Sequence, residues 1–372
     1  MNSHLANADN RMPPPGARVL IAMSGGVDSV AAAGLLTAAG YECMGATLRL
    51  TGEPPVKSVF EPCCGLQATE DARKICEQLG IEHRTVRIVE KFDRHIIAPF
   101  AAAYVAGRTP NPCIQCNRVI KFGLLSKYAR QWGYDYIAMG HYARLTERNG
   151  RMALRRGAYR PKDQSYVLAP LTQPQLRRAC FPLGNMTKED ARATAASIDP
   201  VVGAKAESQE ICFVSDRNYA RVVEARHGQG EPGPIVDVEG NLLGRHKGIC
   251  HYTIGQRRGL GVSAEQPLYV VRVDAANNTI VVGRDEQSLC PSFVTGPLFY
   301  GALDPAIKTF QAQVQLRYRH VPVEARVAVG AGSACVQMDM PQRAVTPGQW
   351  AVFYDSDGHV LAAAEIRAFG DK

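Results

Sequence analysis

Apolar and polar positions settle into a regular alternation at Arg18. RVLIAM (Arg18–Met23) is a short apolar run of strand length, and the stretch from Asp28 to Ala39 reads as a helix closed by Gly40. CMGATLRL (Cys43–Leu50) and EHRTVRIV (Glu82–Val89) are two further strands. Between them, TEDARKICEQLG places Ala72, Ile75, Cys76 and Leu79 on one helical face, with Thr69 as the expected N-cap and Gly80 as the stop. YDYIAMG (Tyr134–Gly140) adds another strand. Strands alternating with helices predict an α/β fold with a doubly wound parallel sheet, whose ligand site lies at the carboxyl ends of the strands.

Beyond Gly140 the pattern predicts helix and loop to about Phe213, including a helix TKEDARATAASI opened by Thr187 with Asp190 at the capping-box position. GQGEPGPIVDVEG (Gly228–Gly240) is rich in Gly and Pro and reads as a linker into a small central domain. After about Ser288 the period becomes two. AQVQLRY alternates Ala312, Val314, Leu316 and Tyr318 against polar partners, and VEARVAV, GQWAVFYD and HVLAAAEI continue the strands. A closed C-terminal β-barrel is the natural way to hide their edges. The expected domains are residues 1–215, 216–287 and 288–372.

Composition narrows the class of protein. The chain has 372 residues, 46% hydrophobic and 21% charged, which fits two or three domains with buried cores and makes a soluble globular protein, not disorder, the default. No apolar run reaches membrane-spanning length, and MNSHLANADNRMPPPGAR has no hydrophobic signal core, so a cytoplasmic protein with no membrane partner is expected. In such a compartment the eleven cysteines should be thiols, ligands or redox groups. Cys43, Cys180, Cys250, Cys290 and Cys335 sit singly among apolar residues and read as core packing. The net charge of +8 favours a polyanionic partner. Basic residues cluster with Tyr and His in RMALRRGAYRPK, GRHKG, GQRRG and RYRH (Arg317–His320), a mixture suited to phosphate neutralisation and base stacking, although each alone also suits a solvated face.

Two motifs carry candidate chemistry. The first strand runs into SGGVDS (Ser24–Ser29) and then a helix: two glycines permit close backbone approach, two serines donate hydrogen bonds, and a helix N-terminus adds partial positive charge. This is an anion cradle without the Lys-Ser/Thr of a Walker A loop. The second motif is NPCIQCN (Asn111–Asn117), whose two cysteines could hold a metal, cycle as a disulfide or carry sulfur. A structural zinc site lacks a convincing second pair of ligands, because Cys63 and Cys64 are adjacent and Cys76 lies on a core face.

SGGVDS resembles the pyrophosphatase loop of enzymes that split ATP into AMP and pyrophosphate while adenylating a substrate oxygen. Taken with TPNPCIQCN, KFG (Lys121–Gly123), GHYAR (Gly140–Arg144), KDQSY (Lys162–Tyr166), ESQEICF and YTIGQRRGLG (Tyr252–Gly261), the ordered set resembles the bacterial tRNA-specific 2-thiouridylase family from about Arg18 into the barrel. The resemblance implies replacement of the C2 oxygen of a wobble uridine by sulfur. Cys212 would receive a persulfide from a sulfur-donor protein, a cysteine desulfurase or sulfur-relay protein, and Cys116 would attack it or resolve it as a Cys116–Cys212 disulfide. It implies an ATP site lined by Ala22, Met23, Ser24, Gly25, Gly26, Val27, Asp28, Ser29, Leu48 and Gly140, with Mg²⁺ held partly by Asp28 on the departing pyrophosphate. Leu48 replaces the methionine common in the family. Asn111, Pro112 and Cys113 would touch the target base; His141, Lys162, Asp163, Gln164, Arg317, Tyr318 and Gln349 would contact the anticodon stem-loop of tRNA.

Cys113 departs from the aspartate carried by many members. A thiol titrates near 8.5 and a carboxyl near 3.9, roughly, so the acid/base role does not simply transfer. Cys113, Cys116 and Cys212 could instead hold a [4Fe–4S] cluster with one iron open. Two further readings remain: a pyrophosphatase-loop synthetase for a small molecule, and a non-catalytic tRNA-binding sulfur carrier.

Overall fold

The computed structural model describes residues 9–50, 66–206, 211–214 and 218–369. Cys63, Cys64 and residues 207–210, which begin the ESQEICF block, lie outside the described residues. The chain divides into two compact units. The first comprises the described residues of Met1–His95, Cys113–Arg217 and Asp357–Leu361, and the second those of Ile96–Pro112, Asn218–Ser356 and Ala362–Lys372.

The first unit is built on five parallel strands, β1 (Arg18–Ala22), β2 (Glu42–Arg49), β3 (Glu82–Arg87), β4 (Tyr136–Ala138) and, after an antiparallel hairpin of β5 (Ala143–Arg148) and β6 (Arg151–Arg156), β7 (Ala179–Cys180). Their order is β3-β2-β1-β4-β7. The chain therefore steps outward from β1 on one side and resumes at β4 on the other, and the switch point lies between β1 and β4. Helix α1 (Val27–Ala38) follows β1 directly; its Val30, Leu35 and Leu36 pack with Val19 and Ile21 of β1 and with Ala191 and Ala195 of helix Lys188–Ile198. Each of these Val, Leu and Ile side chains, fully buried, contributes roughly 1.5–3 kcal/mol by leaving water. Helix α2 (Leu66–Gln78) buries Ala72, Ile75 and Cys76 as its periodicity predicts, and Gly80 at φ +68° ends it. Thr69 is not the cap: it lies inside the helix. The Thr187–Asp190 capping box forms at Lys188–Ile198, with Asp190 N–H donating to Thr187 Oγ1 at 3.1 Å.

The basic run after Gly140, expected as helix and loop, is the β5–β6 hairpin. Its tip residue Asn149 takes φ +52° beside Gly150, and Met152, Ala153 and Leu154 are buried beneath the exposed turn.

In the second unit the apparent linker Gly228–Gly240 contains a strand, β8 (Gly233–Val236). With β9 (Leu242–His246), β10 (Tyr269–Asp274) and β11 (Thr279–Gly283) it forms a sheet of order β10-β11-β8-β9 around Ile235, Tyr252, Val270, Ile280 and Val282. Helix Ala98–Val105 joins this unit, Tyr104 stacking on Tyr219 at 4.5 Å. The remaining strands are β12 (Leu289–Thr295), β13 (Phe299–Tyr300), β14 (Thr309–Gln315), β15 (Val323–Val329), β16 (Ala334–Arg343), β17 (Trp350–Tyr354) and β18 (Val360–Phe369). Six of them close into a barrel through the β12–β18 pairing, with β13 added at β18. Ala312, Val314 and Leu316 point inward as the alternation requires. Cys335 does not: it is exposed on β16, where the period of two sends it outward between buried Ala334 and Val336.

Candidate functional site

The Ser24–Ser29 turn leaves the carboxyl end of β1 beside the switch point. Met23 N–H bonds to Ala46 O at 2.8 Å and Thr47 Oγ1 donates to Met23 O at 2.9 Å, so β2 fixes the turn's entry. Ser29 Oγ accepts from Ser24 N–H at 3.2 Å and donates to Gly26 O at 2.9 Å, closing the loop on itself. Gly26 caps α1 with no side-chain hydrogen bond, so the first-turn N–H groups face the loop as anion donors. Two glycine positions are dictated by contact. Gly25 has φ +69°, and a Cβ there would stand 2.7 Å from Ala68 O of α2; a Cβ on Gly140 would stand 2.5 Å from the Asp28 carbonyl. Gly140, at the end of the β4 segment, therefore lets the loop seat directly on the sheet.

Asp28 is held from two sides. Its Oδ1 accepts from Lys188 Nζ at 2.6 Å and from Tyr142 OH at 2.7 Å. Lys188 is buried, whereas the Asp28 carboxylate remains 36% exposed, leaving Oδ2 outside those two bonds. A carboxylate oxygen at a phosphate loop suits a hard divalent cation such as Mg²⁺. Lys205 Nζ closes the other flank, donating to Gly25 O at 2.9 Å and Asp71 Oδ2 at 2.6 Å. Burial raises the Asp71 pKa, but the hydrogen bonds from Lys205 and Gln67 and the charges of Lys205 and Lys74 outweigh it and hold the carboxyl below its ordinary range. Sequence reasoning missed Lys188, Lys205 and Tyr142. Tyr142 sits within GHYAR, and Lys188 follows the capping Thr187, but nothing in the local pattern ties either lysine to a loop 160 or 180 residues away.

The cysteines differ in setting. Cys113 is exposed in the short helix Pro112–Gln115, and Cys116, 9% exposed, starts a nine-residue π-helical stretch to Leu124. The wide turn is marked by Leu125 N–H reaching Ile120 O. Such turns often re-aim side chains at functional sites. Asn117 Nδ2 anchors the stretch to Val167 O at 3.0 Å. Cys212 is half-buried, and its neighbour Phe213 packs edge-on against Phe92 at 5.9 Å. Cys113, Cys116 and Cys212 are not among the groups whose ligand atoms all lie within 4.8 Å of one another among the described residues. The iron–sulfur alternative finds no support. The core thiols behave differently again: burial pushes Cys43 and Cys76 up to about 12 and raises Cys180 and Cys250.

Of the residues expected at tRNA, Arg317 and Tyr318 are exposed at the end of β14, and Lys162 is half-buried in the turn Arg160–Lys162. His141 is buried between Phe122 and Phe181, with Nδ1 lacking a hydrogen-bond partner; burial and the nearby Lys121 hold it well below 6.5 and hence neutral. The Asp163 carboxylate is turned inward, accepting from Gly157 N–H, Ser165 N–H and Ser165 Oγ, each at 3.0 Å. Gln164 Oε1 accepts from Tyr142 N–H at 3.0 Å, and Gln349 Nε2 donates to Thr109 O at 2.9 Å, two residues before Asn111. These three hold backbone as placed. Asn111 and Pro112 fall in the second unit and Cys113 in the first.

A parallel sheet with an anion-binding turn at its switch point defines an α/β nucleotide-loop protein, here carrying a second sheet and a barrel. Residues 17–216 match the model of the tRNA methyl transferase HUP domain, 222–284 that of the tRNA methyl transferase PRC-barrel domain, and 297–366 that of the aminomethyltransferase beta-barrel domain. The chain is 44% identical over 347 residues to the tRNA-specific 2-thiouridylase MnmA of Carboxydothermus hydrogenoformans, covering 91% of this chain and 95% of the relative. It is 45% identical over 358 residues to that of Geobacter metallireducens, covering 94% and 97%. The chain belongs to the tRNA-specific 2-thiouridylase family.

Proposed function

We propose that this protein is a tRNA-uridine 2-sulfurtransferase that uses ATP to replace the C2 oxygen of a wobble uridine in the anticodon loop with sulfur. Family membership across more than nine-tenths of the chain carries the reading. It is supported by the intact loop, since a carrier without catalysis would need neither Asp28 nor its buried lysine.

The turn Ala22–Ser29, with Leu48 and Gly140, binds ATP through backbone N–H groups and serine hydroxyls, and Asp28 would hold Mg²⁺, which would offset the negative charge of the departing pyrophosphate. The uridine O2 attacks the α-phosphorus, forming an adenylated base and releasing pyrophosphate. A persulfide on Cys212, loaded by a donor protein in the cytoplasm, places its terminal sulfur on C2, and AMP leaves with the original oxygen. The Cys116 thiolate then attacks the Cys212 sulfur, so the S–S bond to the base-bound sulfur breaks as the Cys116–Cys212 bond forms. An external thiol reductant restores both cysteines. The target base leaves its stack to reach Asn111, Pro112 and Cys113, at low cost in an already single-stranded loop. Lys162, Arg317 and Tyr318 contact the tRNA directly. Asp163, Gln164 and Gln349 act mainly by holding the backbone around those contacts, and His141 by packing between Phe122 and Phe181.

The test is thiolation of unmodified tRNA with ATP and a persulfide source, following AMP alongside. AMP formation should require tRNA. AMP made without tRNA would identify a small-molecule synthetase, and tRNA binding without AMP a carrier. Cys116→Ser and Cys212→Ser should each abolish thiolation, while Cys113→Asp should retain substantial activity, because a carboxylate suits the family at that position.

A further inference from the structure

Glu224, on helix Tyr219–His227, and Cys250 and His251, in the single turn Ile249–His251, bring a carboxylate, a thiol and an imidazole together in the second unit. Their ligand atoms all lie within 4.8 Å of one another. We propose that these three side chains form a binding site for a zinc-class divalent cation, with a fourth position open to water.

The donor set decides the class of ion. Magnesium and calcium select all-oxygen shells, whereas thiolate, imidazole and carboxylate together match the borderline-soft ions, and three protein ligands plus water complete a tetrahedron. The supports are rigid. Helix Tyr219–His227 is anchored by buried Ala220 and Val223, and Gly248 at φ +135° lets the turn pass against Gly230, where a Cβ would stand 3.3 Å from the Gly230 Cα. His246 fixes the turn from behind: its Nδ1 accepts from Gly248 N–H at 3.0 Å, which leaves Nε2 to donate to Asn278 O at 2.9 Å. Both its nitrogens are engaged, so it supports the site without ligating.

His251 Nε2 and Glu224 Oε1 are 2.8 Å apart, a hydrogen-bond distance. Two ligands on a tetrahedral zinc with bonds of about 2.0–2.1 Å stand roughly 3.3 Å apart, so binding must open this pair by about half an ångström. Both side chains are partly exposed, which leaves room for the adjustment. Cys250 is buried, 5% exposed; burial and then the Glu224 charge raise its pKa, so it is a thiol without the ion. Cation binding breaks its S–H bond, the sulfur electron pair goes to the metal, and one proton leaves to solvent without redox change, while the neutral His251 ring moves its proton from Nε2 to Nδ1 so that the Nε2 lone pair can ligate.

The experiment uses reduced, chelator-treated full-length protein with neither tRNA nor ATP, so its outcome is independent of the thiolation reading. Titration with Co²⁺ should give one equivalent of tetrahedral cobalt with a thiolate-to-cobalt absorption band, release one proton per ion, and raise the melting temperature; Zn²⁺ should displace the colour. Cys250→Ser should lose the band. Glu224→Gln and His251→Gln, which keep the thiol, should weaken binding at least about tenfold. A wild-type protein without the band, or a band that survives Cys250→Ser and disappears in Cys116→Ser, overturns the proposal. So does unchanged affinity in both Glu224→Gln and His251→Gln, the outcome if the Glu224–His251 bond is only a latch; these two variants decide the matter should Cys250→Ser fail to fold.

Discussion

Asp28 illustrates what a residue can and cannot declare from sequence. Its place in SGGVDS marked it as a phosphate-loop carboxylate, but its partner Lys188 lies 160 positions away and is visible only once helix Lys188–Ile198 packs on α1. The pair has a consequence for catalysis. A buried ammonium at 2.6 Å fixes the carboxylate's position and orientation, so Lys188→Met should lower tRNA-dependent AMP formation at least about tenfold while persulfide loading of Cys212 continues. Breaking a fully buried pair costs roughly 3–5 kcal/mol, and the exposure of Asp28 makes the loss here smaller. Because the two groups act as one unit, Asp28→Ala and Lys188→Met should be non-additive in AMP formation. Effects that multiply independently in the double variant would dissolve the unit. The residues expected at tRNA teach the opposite lesson: Asp163 and His141 stand inside recognisable motifs, yet side-chain direction, which no motif encodes, turns both inward.

Elements were legible where one local period governed them. β1, α1, β2, β3 and the capped helix at Thr187 follow from alternation, a 3.6 period and turn residues, and the barrel strands follow from a period of two. Where tertiary contacts supplied the order, the sequence misled. The β5–β6 hairpin is dense in arginine, yet its charge sits on a strand pair whose apolar residues face the core. The Gly/Pro-rich linker holds β8 because Ile235 fills the small central core, and Thr69 lies within a helix that begins at Leu66. The seating of the nucleotide turn on β4 is a contact of this kind. Gly140→Ala places a methyl carbon 2.5 Å from the Asp28 carbonyl, with backbone on both sides and nothing flexible to yield. The turn must lift from the sheet, so ATP binding and AMP formation should fall sharply while Cys212 still accepts a persulfide. A variant that binds ATP normally would show that the turn tolerates displacement.

At the scale of the whole molecule, charge and protonation govern behaviour under changing conditions. Burial is the first cause that holds His83, His141, His246 and His320 below 6.5, with Arg73, Lys121 and Arg317 adding to it at His83, His141 and His320 respectively. Near neutral pH these rings are uncharged in both folded and unfolded chains. As pH falls through about 6.5 the unfolded chain takes up protons that the folded rings refuse, so stability falls by at most about 1.4 kcal/mol per group per pH unit. The melting temperature should therefore drop between pH 7.5 and 5.5, before carboxylates titrate; a constant or rising value would mean that the rings are charged in the fold. Net charge sets the response to salt. A chain of +8 that binds tRNA through exposed cations releases counterions, so log affinity should fall linearly with log salt. If Arg317 and Lys162 contact phosphates as proposed, Arg317→Gln or Lys162→Gln should lower that slope by about 0.7–0.9, whereas His141→Gln should leave it unchanged because the buried ring carries no charge. Measuring binding of unmodified tRNA across a salt series separates the two groups. A slope that His141→Gln reduces as much as Arg317→Gln does would place the imidazole on the phosphates after all, and a flat dependence in the wild type would remove electrostatic contact with tRNA from the account.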